Sequence, residues 1–575
     1  MKILLTTLHA KYSHASLALP YIASSCNGLS GVDVVVREWT VNEPREHILR
    51  LVMAEKAELV AFSCYIWNIE LTLKIVSDIK KISPETIIVL GGPEVSFAIF
   101  DLMQENPAVD FVVKGEGEEV FRKLAVALAG GGDNKSLSEI ENLFFRYGEE
   151  ITSGLLNRDV LELDSLPSPF LAGSVDLTKP LVYYETSRGC PFSCAFCLSS
   201  VEGAVRSFGI DRIRADLLYL MDSDVAQIKF VDRTFNYDSR RADVIWKFIL
   251  ENNRCSHFHF EIAADLLTDS NINLLSQVPE NSFRFEIGIQ SSSSATLQRV
   301  ARVADLDRIT SNIRRLKAET RVDLHLDLVA GLPGEDYKGF LDSLQMVAGL
   351  KPDMLQIEPL KVLKGAPMRA IANKEGYSWS EAPPYMILRN PWLSFDEICK
   401  VETIGRLLDL FGKHGGFGSA FRVLQQFSSF ADIMDKMACR AGNENLSSFS
   451  CRRVFELFSR LSEPVPDLAV GEQLKDALFF DYCQVEMPVS DKLPLFAADK
   501  QELCSWLRQK ELTKEIGEFD IPDGSRVKAF SFKFMRDYRL EKWDSVPFTA
   551  VFIYVSTAGQ RLKIEIKSSN SPIKN

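Results

Sequence analysis

The chain is predicted to be an α/β protein built from a doubly wound parallel sheet, a partial β/α barrel and a mixed α+β C-terminal region. Three observations predict this. Short apolar segments alternate with helix-patterned segments over the first 125 residues, and from residue 181 the alternation resumes for six more units. After about residue 375 the pattern changes to helices and then to alternating strands.

In the first part, "KILLTTL" (2–8), "VDVVVREW" (32–39), "ELVAFSCY" (58–65), "TIIVLGGP" (86–93) and "VDFVVKGEGEE" (109–119) read as strands running into loops. "IELTLKIVSDIKKI" (69–82) has apolar residues at helical spacing and stops at Ser83-Pro84. In a doubly wound sheet the ligand sits beyond the carboxyl ends of the strands. Those ends carry "SCYIWN", "GGPE" and "KGEGEE". Gly130-Gly131-Gly132 and "LDSLPSPF" (163–170) punctuate a less regular stretch. The expected division is therefore 1–150, a linker 151–180, a barrel 181–375 and a C-terminal domain 376–575. The barrel units begin at "LVYYETSRGC", "AQIKFVDRTF", "HFHFEIAADL", "FRFEIGIQSS", "DLHLDLVAGLPGE" and "MLQIEPLKVLKG", and barrel function belongs at the carboxyl rim. Residues 384–465 read as largely helical, and 525–567 as strands.

Composition narrows the class. At 575 residues, 46% hydrophobic and 25% charged, the chain resembles a soluble globular protein of several domains. No apolar run reaches the ~18–20 residues of a membrane span, and "MKILLTTLHA" reads as a buried strand rather than a signal peptide. A net charge of −12 argues against a nucleic-acid coat. Eleven cysteines, scattered except for one cluster, fit a reducing cytoplasm.

That cluster is "ETSRGCPFSCAFCLSS" (185–200), where Cys190, Cys194 and Cys197 have the spacing C-x3-C-x2-C. Zinc is one reading, with Cys255, Cys399 or a histidine supplying a fourth ligand from afar. Inert buried thiols are another. An iron–sulfur cluster normally takes four thiolates, so with three one iron keeps an open position for a substrate or cosubstrate.

The motif, with Phe196 before its last cysteine and on the loop after the first barrel strand, resembles that of the radical S-adenosylmethionine (SAM) enzymes. The resemblance implies a 4Fe-4S cluster on the three cysteines. Its open iron would chelate SAM and cleave it reductively to methionine and a 5′-deoxyadenosyl radical. Other positions match strand by strand. "KFVDRTF" (229–235) offers Asp232 and Thr234 to the methionine amine, in place of the commoner Gly-Gly-Glu, and Asp265 ends the third strand. "FEIGIQS" (285–291) places Glu286, Gln290 and Ser291 at the SAM pocket; Ser292–Ser294 suit a helix cap. Arg302 is the expected fork for the methionine carboxylate. "DLVAGLPGE" (327–335) brings backbone at Gly331 close to adenine, and "PLKVLKGAPM" (359–368) matches the sixth strand.

The upstream sheet resembles the cobalamin (B12)-binding domain of the B12-dependent radical SAM subfamily. The resemblance places its contacts at Thr7, His9, Ser63, Tyr65, Trp67, Asn68, Gly91, Gly92, Pro93, Glu94, Gly115, Glu116 and Gly117. The Asp-x-His-x-x-Gly pattern of B12 mutases is missing from "LHAKYSHASLALPY" (8–21), although His9 and His14 lie there. Cobalt's lower face is therefore expected open, or faced by a residue such as Tyr65 or Trp67. Residues 380–575, with "HAKYSH" and "KFVDRTFN", resemble a subgroup ending in a domain of unknown function of the DUF4080 type.

The resemblance implies an oxygen-sensitive, anaerobically acting cytoplasmic enzyme that transfers methyl from methylcobalamin to a substrate carbon. Radical rearrangement or cyclisation without methyl transfer is the alternative within enzymes, and a non-catalytic corrinoid- or redox-sensing module the alternative outside them. Expected partners are a small-molecule, lipid or peptide substrate, tetrapyrroles included, and an electron donor such as flavodoxin or ferredoxin.

Overall fold

The computed structural model describes residues 1–148, 150–156, 161–201, 203–442, 444–447, 449–463, 468–488, 493–497, 499–500, 504–506, 525–540, 542–543, 546–556 and 563–568. These fall into two compact units, one of residues 1–336 with 359–395 and one of 337–358 with 396–575.

The first unit opens with strands β1 (Lys2–His9), β2 (Asp33–Thr40), β3 (Leu59–Ser63), β4 (Ile87–Gly91), β5 (Phe111–Val113), β6 (Leu143–Tyr147) and β7 (Glu150–Ser153). They form one sheet in the order β2-β1-β3-β4-β5-β6-β7. The first five are parallel, whereas β6 and β7 join antiparallel. Burial on both faces explains the nearly unbroken apolar run of β1. Leu4 and Leu8 pack with Val60 and Phe62 in one cluster, while Ile3 and Leu5 pack with Leu59 and Ala61 in another. The helix predicted over 69–82 forms at Ile69–Ile82. The β6–β7 hairpin carries the sheet to Ser153, into the stretch read as a linker.

The barrel strands are β8 (Val182–Tyr184), the short antiparallel pair β9 (Ser187–Arg188) and β10 (Arg206–Ser207), β11 (Gln227–Phe230), β12 (His257–Glu261), β13 (Phe283–Gln290), β14 (Asp323–Ala330) and β15 (Met354–Pro359). Six of them form a sheet in the order β8-β11-β12-β13-β14-β15. Along β12 and β13 side chains alternate strictly. Phe258, Phe260, Phe283, Phe285, Ile287 and Ile289 are buried on one face, and His257, His259, Glu261, Arg284 and Glu286 are half-buried on the other. The sheet thus turns an apolar face to its helices and a polar face to its lumen. A small antiparallel pair, β16 (Ser378–Trp379) and β17 (Ile387–Arg389), closes this unit.

The second unit contains helices Phe395–His414, Gly418–Leu424, Phe430–Ala441, Cys451–Ser462 and Leu468–Cys483. Four antiparallel strands follow: β18 (Cys504–Trp506), β19 (Arg526–Phe534), β20 (Phe548–Ser556) and β21 (Lys563–Ser568). Helix Leu468–Cys483 runs past the helical stretch expected from sequence. It is buried nearly all round, Asp476 and Asp481 included, and so shows no amphipathic stripe. No described helix is long and apolar enough to cross a membrane.

Candidate active site

The cysteine loop leaves β9, and its path needs a glycine at Gly189. There φ is +90° and a Cβ would meet Ala204 O at 2.9 Å. Backbone bonds then fix the loop, Ala195 N donating to Val300 O (2.8 Å) and Met368 N to Ala195 O (2.8 Å). Cys194 is buried, and Cys190 and Cys197 are half-buried; none of the three is in a disulfide. Among the described residues, the one set of three or more His, Cys, Asp or Glu ligand atoms within 4.8 Å of one another lies elsewhere. Three thiols on one loop offer a metal or a cluster three protein ligands and leave a fourth position to be supplied from elsewhere.

Two residues expected to bind SAM lie against this loop. Asp232 is fully buried, and its carboxylate accepts bonds from Thr186 N (3.0 Å), Thr186 Oγ1 (2.6 Å) and Ser187 Oγ (2.5 Å). Burial pushes its pKa up, and these bonds pull against the rise. Thr234 Oγ1 lies 3.4 Å from Cys190 Sγ and 2.8 Å from Arg233 O, to which it donates. Arg302 points its Nη1 at Cys194 Sγ (3.6 Å) and donates through Nη2 to Gly288 O, so its fork lies against a thiol. Burial raises the Cys194 pKa, and Arg302 opposes that. Phe196 is half-buried on the loop.

An ionic knot ties the loop to the N-terminal sheet. Arg188 reaches Glu118 Oε1 (2.6 Å), Glu185 Oε1 (2.7 Å) and Glu116 Oε1 (3.2 Å), while Arg206 Nη2 takes Glu116 Oε1 at 2.5 Å. The Glu116 carboxylate, expected at the cobalamin, is thus held between two arginines.

In the lumen, Glu286 lies 3.0 Å from Lys229 Nζ and 2.9 Å from His259 Nε2. Burial would raise its pKa, but these neighbours outweigh it and hold it down to about 2. Gln290 adopts φ +71° and leaves its buried Oε1 without a hydrogen bond. That combination of strain and an unmet acceptor is typical of a binding site. Ser291 is fully buried and donates to Glu335 Oε1 (2.6 Å), which fixes the turn after β13. Asp265 accepts from Asp305 N (3.3 Å), at the loop edge. Gly331 has φ +91°, a Cβ there would strike Ile387 Cδ1 at 2.0 Å, and its carbonyl accepts from Tyr377 Oη and Asn390 Nδ2, both at 3.0 Å. Lys229, His259, Glu261 and His325, also lumenal, were not singled out from sequence. Period-two alternation inside an enclosed sheet was the signal available for them.

The strand order 2-1-3-4-5 puts a topological switch point between β1 and β3, where a doubly wound sheet opens a crevice. Six expected cobalamin residues gather at or beside it. Thr7 Oγ1 donates to Ser63 O (2.8 Å), and Asn68 Nδ2 bridges Thr7 Oγ1 (3.2 Å), Leu8 O (3.1 Å) and Ser63 O (3.1 Å). Tyr65 and Trp67 stack at 4.4 Å and 5°, and Trp67 Nε1 donates to Leu8 O (3.0 Å). His9 Nε2 lies 3.2 Å from Glu38 Oε2. Gly91 ends β4, and Gly92 has φ +102° with Cys64 O 2.6 Å from any added Cβ. Pro93 opens a short turn of helix, and Gly115 has φ +75° with open space beside it. Gly117 packs near Ile22, where a Cβ would sit 3.4 Å from its Cδ1. Glu94 is buried and bound to Lys364 Nζ (3.0 Å) and Tyr385 Oη, so it anchors the loop after β15. A flat aromatic platform beside tight glycine turns suits a large planar cofactor.

Comparison with known proteins agrees with this arrangement. The B12 binding domain family matches residues 3–125, the Radical SAM superfamily 184–347, and the family described as "Protein of unknown function (DUF4080)" 373–543. The chain joins a B12-binding domain to a radical SAM domain and a DUF4080 domain. A 2-(S-pantetheinyl)-carbapenam-3-carboxylate methyltransferase of Streptantibioticus cattleyicolor is 26% identical over 385 residues, 60% of this chain and 53% of that protein. The cobalamin-dependent radical SAM methyltransferase TokK of Streptomyces tokunonensis is 26% identical over 375 residues, with the same coverage of 60% and 53%. The chain spans about half the length of the curated relatives it matches. Its fold is shared with the radical SAM methyltransferase TsrM from Kitasatospora setae (TM-score 0.55, 15% identity, 68% of this chain and 80% of that one). It is also shared with OxsB, a cobalamin-dependent SAM radical enzyme (TM-score 0.57, 12% identity, 84% of each chain).

Proposed function

We propose that this chain is a cobalamin-dependent radical SAM enzyme that methylates a substrate carbon. The observation that carries the reading is the trio Cys190, Cys194 and Cys197 on one loop, tied through Arg188 to a sheet with a B12-type switch point. When bound, the 4Fe-4S cluster supplies the electron for reductive cleavage of SAM, and the corrinoid supplies a transferable methyl group. The three thiolates would hold the cluster, and Asp232 brackets their loop from below. Gln290, with its unmet Oε1, and the turn at Gly331 would orient SAM. Tyr65 and Trp67 would shield the corrinoid face from water. Methyltransferase activity is supported by the names of the two curated relatives. The domain limits 1–150, 181–375 and 376–575, with a linker between the first two, go with this reading. So do action in an anaerobic cytoplasm, an electron donor such as flavodoxin or ferredoxin, and a small-molecule, lipid or peptide substrate.

Reduced, reconstituted protein given SAM is expected to release 5′-deoxyadenosine, and Cys194→Ala to abolish it. Persistence of that product in the variant would remove the cluster assignment. Stoichiometric S-adenosylhomocysteine alongside modified substrate distinguishes methyl transfer from rearrangement.

A further inference from the structure

The barrel lumen holds a second set of metal-type ligands, separate from the cysteine loop. His259 on β12, Glu286 on β13 and His325 on β14 bring two imidazole nitrogens and a carboxylate oxygen within 4.8 Å of one another. Glu286 and His325 are register partners on adjacent strands, so the backbone itself sets that pair. A second observation points to a ligand. The Nε2 atoms of His259 and His325 are both buried, each faces a carboxylate oxygen (Glu286 Oε2 at 2.9 Å and Asp327 Oδ1 at 3.2 Å) without well-formed hydrogen-bond geometry, and His325 is only 6% exposed. Buried nitrogens that miss good hydrogen-bond geometry are rare and costly, and one ion between them and their carboxylates would satisfy both.

Lys229 is the competing cation, with Nζ 3.0 Å from Glu286 Oε2 and 3.9 Å from Glu261 Oε1. Asp327 Oδ1 adds a third carboxylate 3.2 Å from His325 Nε2. Glu261, Glu286, Asp327 and Asp323 stand against Lys229, Arg233 and Arg284, which leaves one carboxylate in excess. A cavity of about 240 Å³ at the amino ends of the strands, lined by Lys229, His257, Arg284 and Asp323, reaches His259 of the three.

We propose that His259, Glu286 and His325 bind a divalent transition ion of the zinc class. Two imidazoles and a carboxylate form a catalytic-type donor set, which leaves a position for an oxygen or nitrogen ligand in the lumen. The substrate class this favours is a polar molecule with a carboxylate, hydroxyl or amide to offer that ion.

The test uses the full chain with Cys190, Cys194 and Cys197 replaced by Ala, titrated with Co2+. One equivalent is expected, with visible d–d bands and no thiolate-to-cobalt charge transfer. His259→Gln and His325→Gln should each weaken binding on the order of 100-fold or more. Lys229→Met should tighten it at least about tenfold by removing the competing charge. Zinc-edge X-ray absorption of the zinc-loaded parent should show two imidazoles and no sulfur, a result that needs no further variant. Absence of a nitrogen- and oxygen-bound ion in the parent, or binding unchanged in both histidine variants, overturns the proposal. Neither result bears on the cysteine cluster, whose own test is 5′-deoxyadenosine release.

Discussion

Asp232 shows how a single buried carboxylate can shape a site by fixing the backbone that carries it. Thr186 and Ser187 present three donors that only it satisfies from below the cysteine loop. Asp232→Ala leaves those donors buried and unmet, at a cost of about 3 kcal/mol. The expected outcome is a fall in melting temperature together with iron and sulfide per chain. Gly92 is a comparable pinch point on the other sheet. With φ +102° and Cys64 O 2.6 Å from an added Cβ, Gly92→Ala must move backbone at the end of β4. A loss of about 2–4 kcal/mol and of cobalamin uptake is expected, measured by thermal unfolding and by corrinoid absorbance after reconstitution.

At the scale of elements, helix Leu468–Cys483 buries a carboxyl group in an otherwise apolar setting. Asp481 accepts from Ser419 N (3.2 Å) and Ala420 N (2.8 Å) at the start of helix Gly418–Leu424. Burial pushes its pKa up to about 7, and the backbone donors only partly oppose the rise. The folded carboxyl therefore holds its proton more tightly than the unfolded one, whose pKa is about 3.9. Between about pH 4 and 7 the native state binds more protons, so its stability falls as pH rises and levels off above 7. Asp481→Asn should flatten that decline, read as the denaturation midpoint by tryptophan fluorescence at pH 5 and pH 8. An unchanged slope would show that Asp481 does not set it.

At the scale of the molecule, the N-terminal sheet and barrel strands β8 to β14 belong to one compact unit, joined by Arg188 and by Glu94. Arg188 is 15% exposed by side chain and is met by three glutamates, so removing it strands buried charge. Burial already lifts the Glu185 pKa, and Arg188 is what opposes it. Arg188→Ala is expected to cost about 3–5 kcal/mol and to expose the region between sheet and barrel to limited proteolysis. An unchanged cleavage pattern would show that Glu94 with Lys364 suffices as the joint.

Local order was legible from residues alone wherever one physical demand dominated. Parallel strands buried on both faces produce apolar runs, the helix over 69–82 keeps its period up to Ser83, and three close cysteines fall on one loop after the first barrel strand. Roles that depend on which side chains meet across distant elements were not legible. Asp232, Glu94 and Glu116 carry motif positions, yet their partners lie 46, 270 and 291, and 90 residues away in sequence or sit on another strand. A carboxylate's role follows from the donors that reach it first, and only the folded chain brings those donors together. The lumenal cluster of His259, Glu286 and His325 has the same origin, since adjacent strands must close before its three ligands can meet.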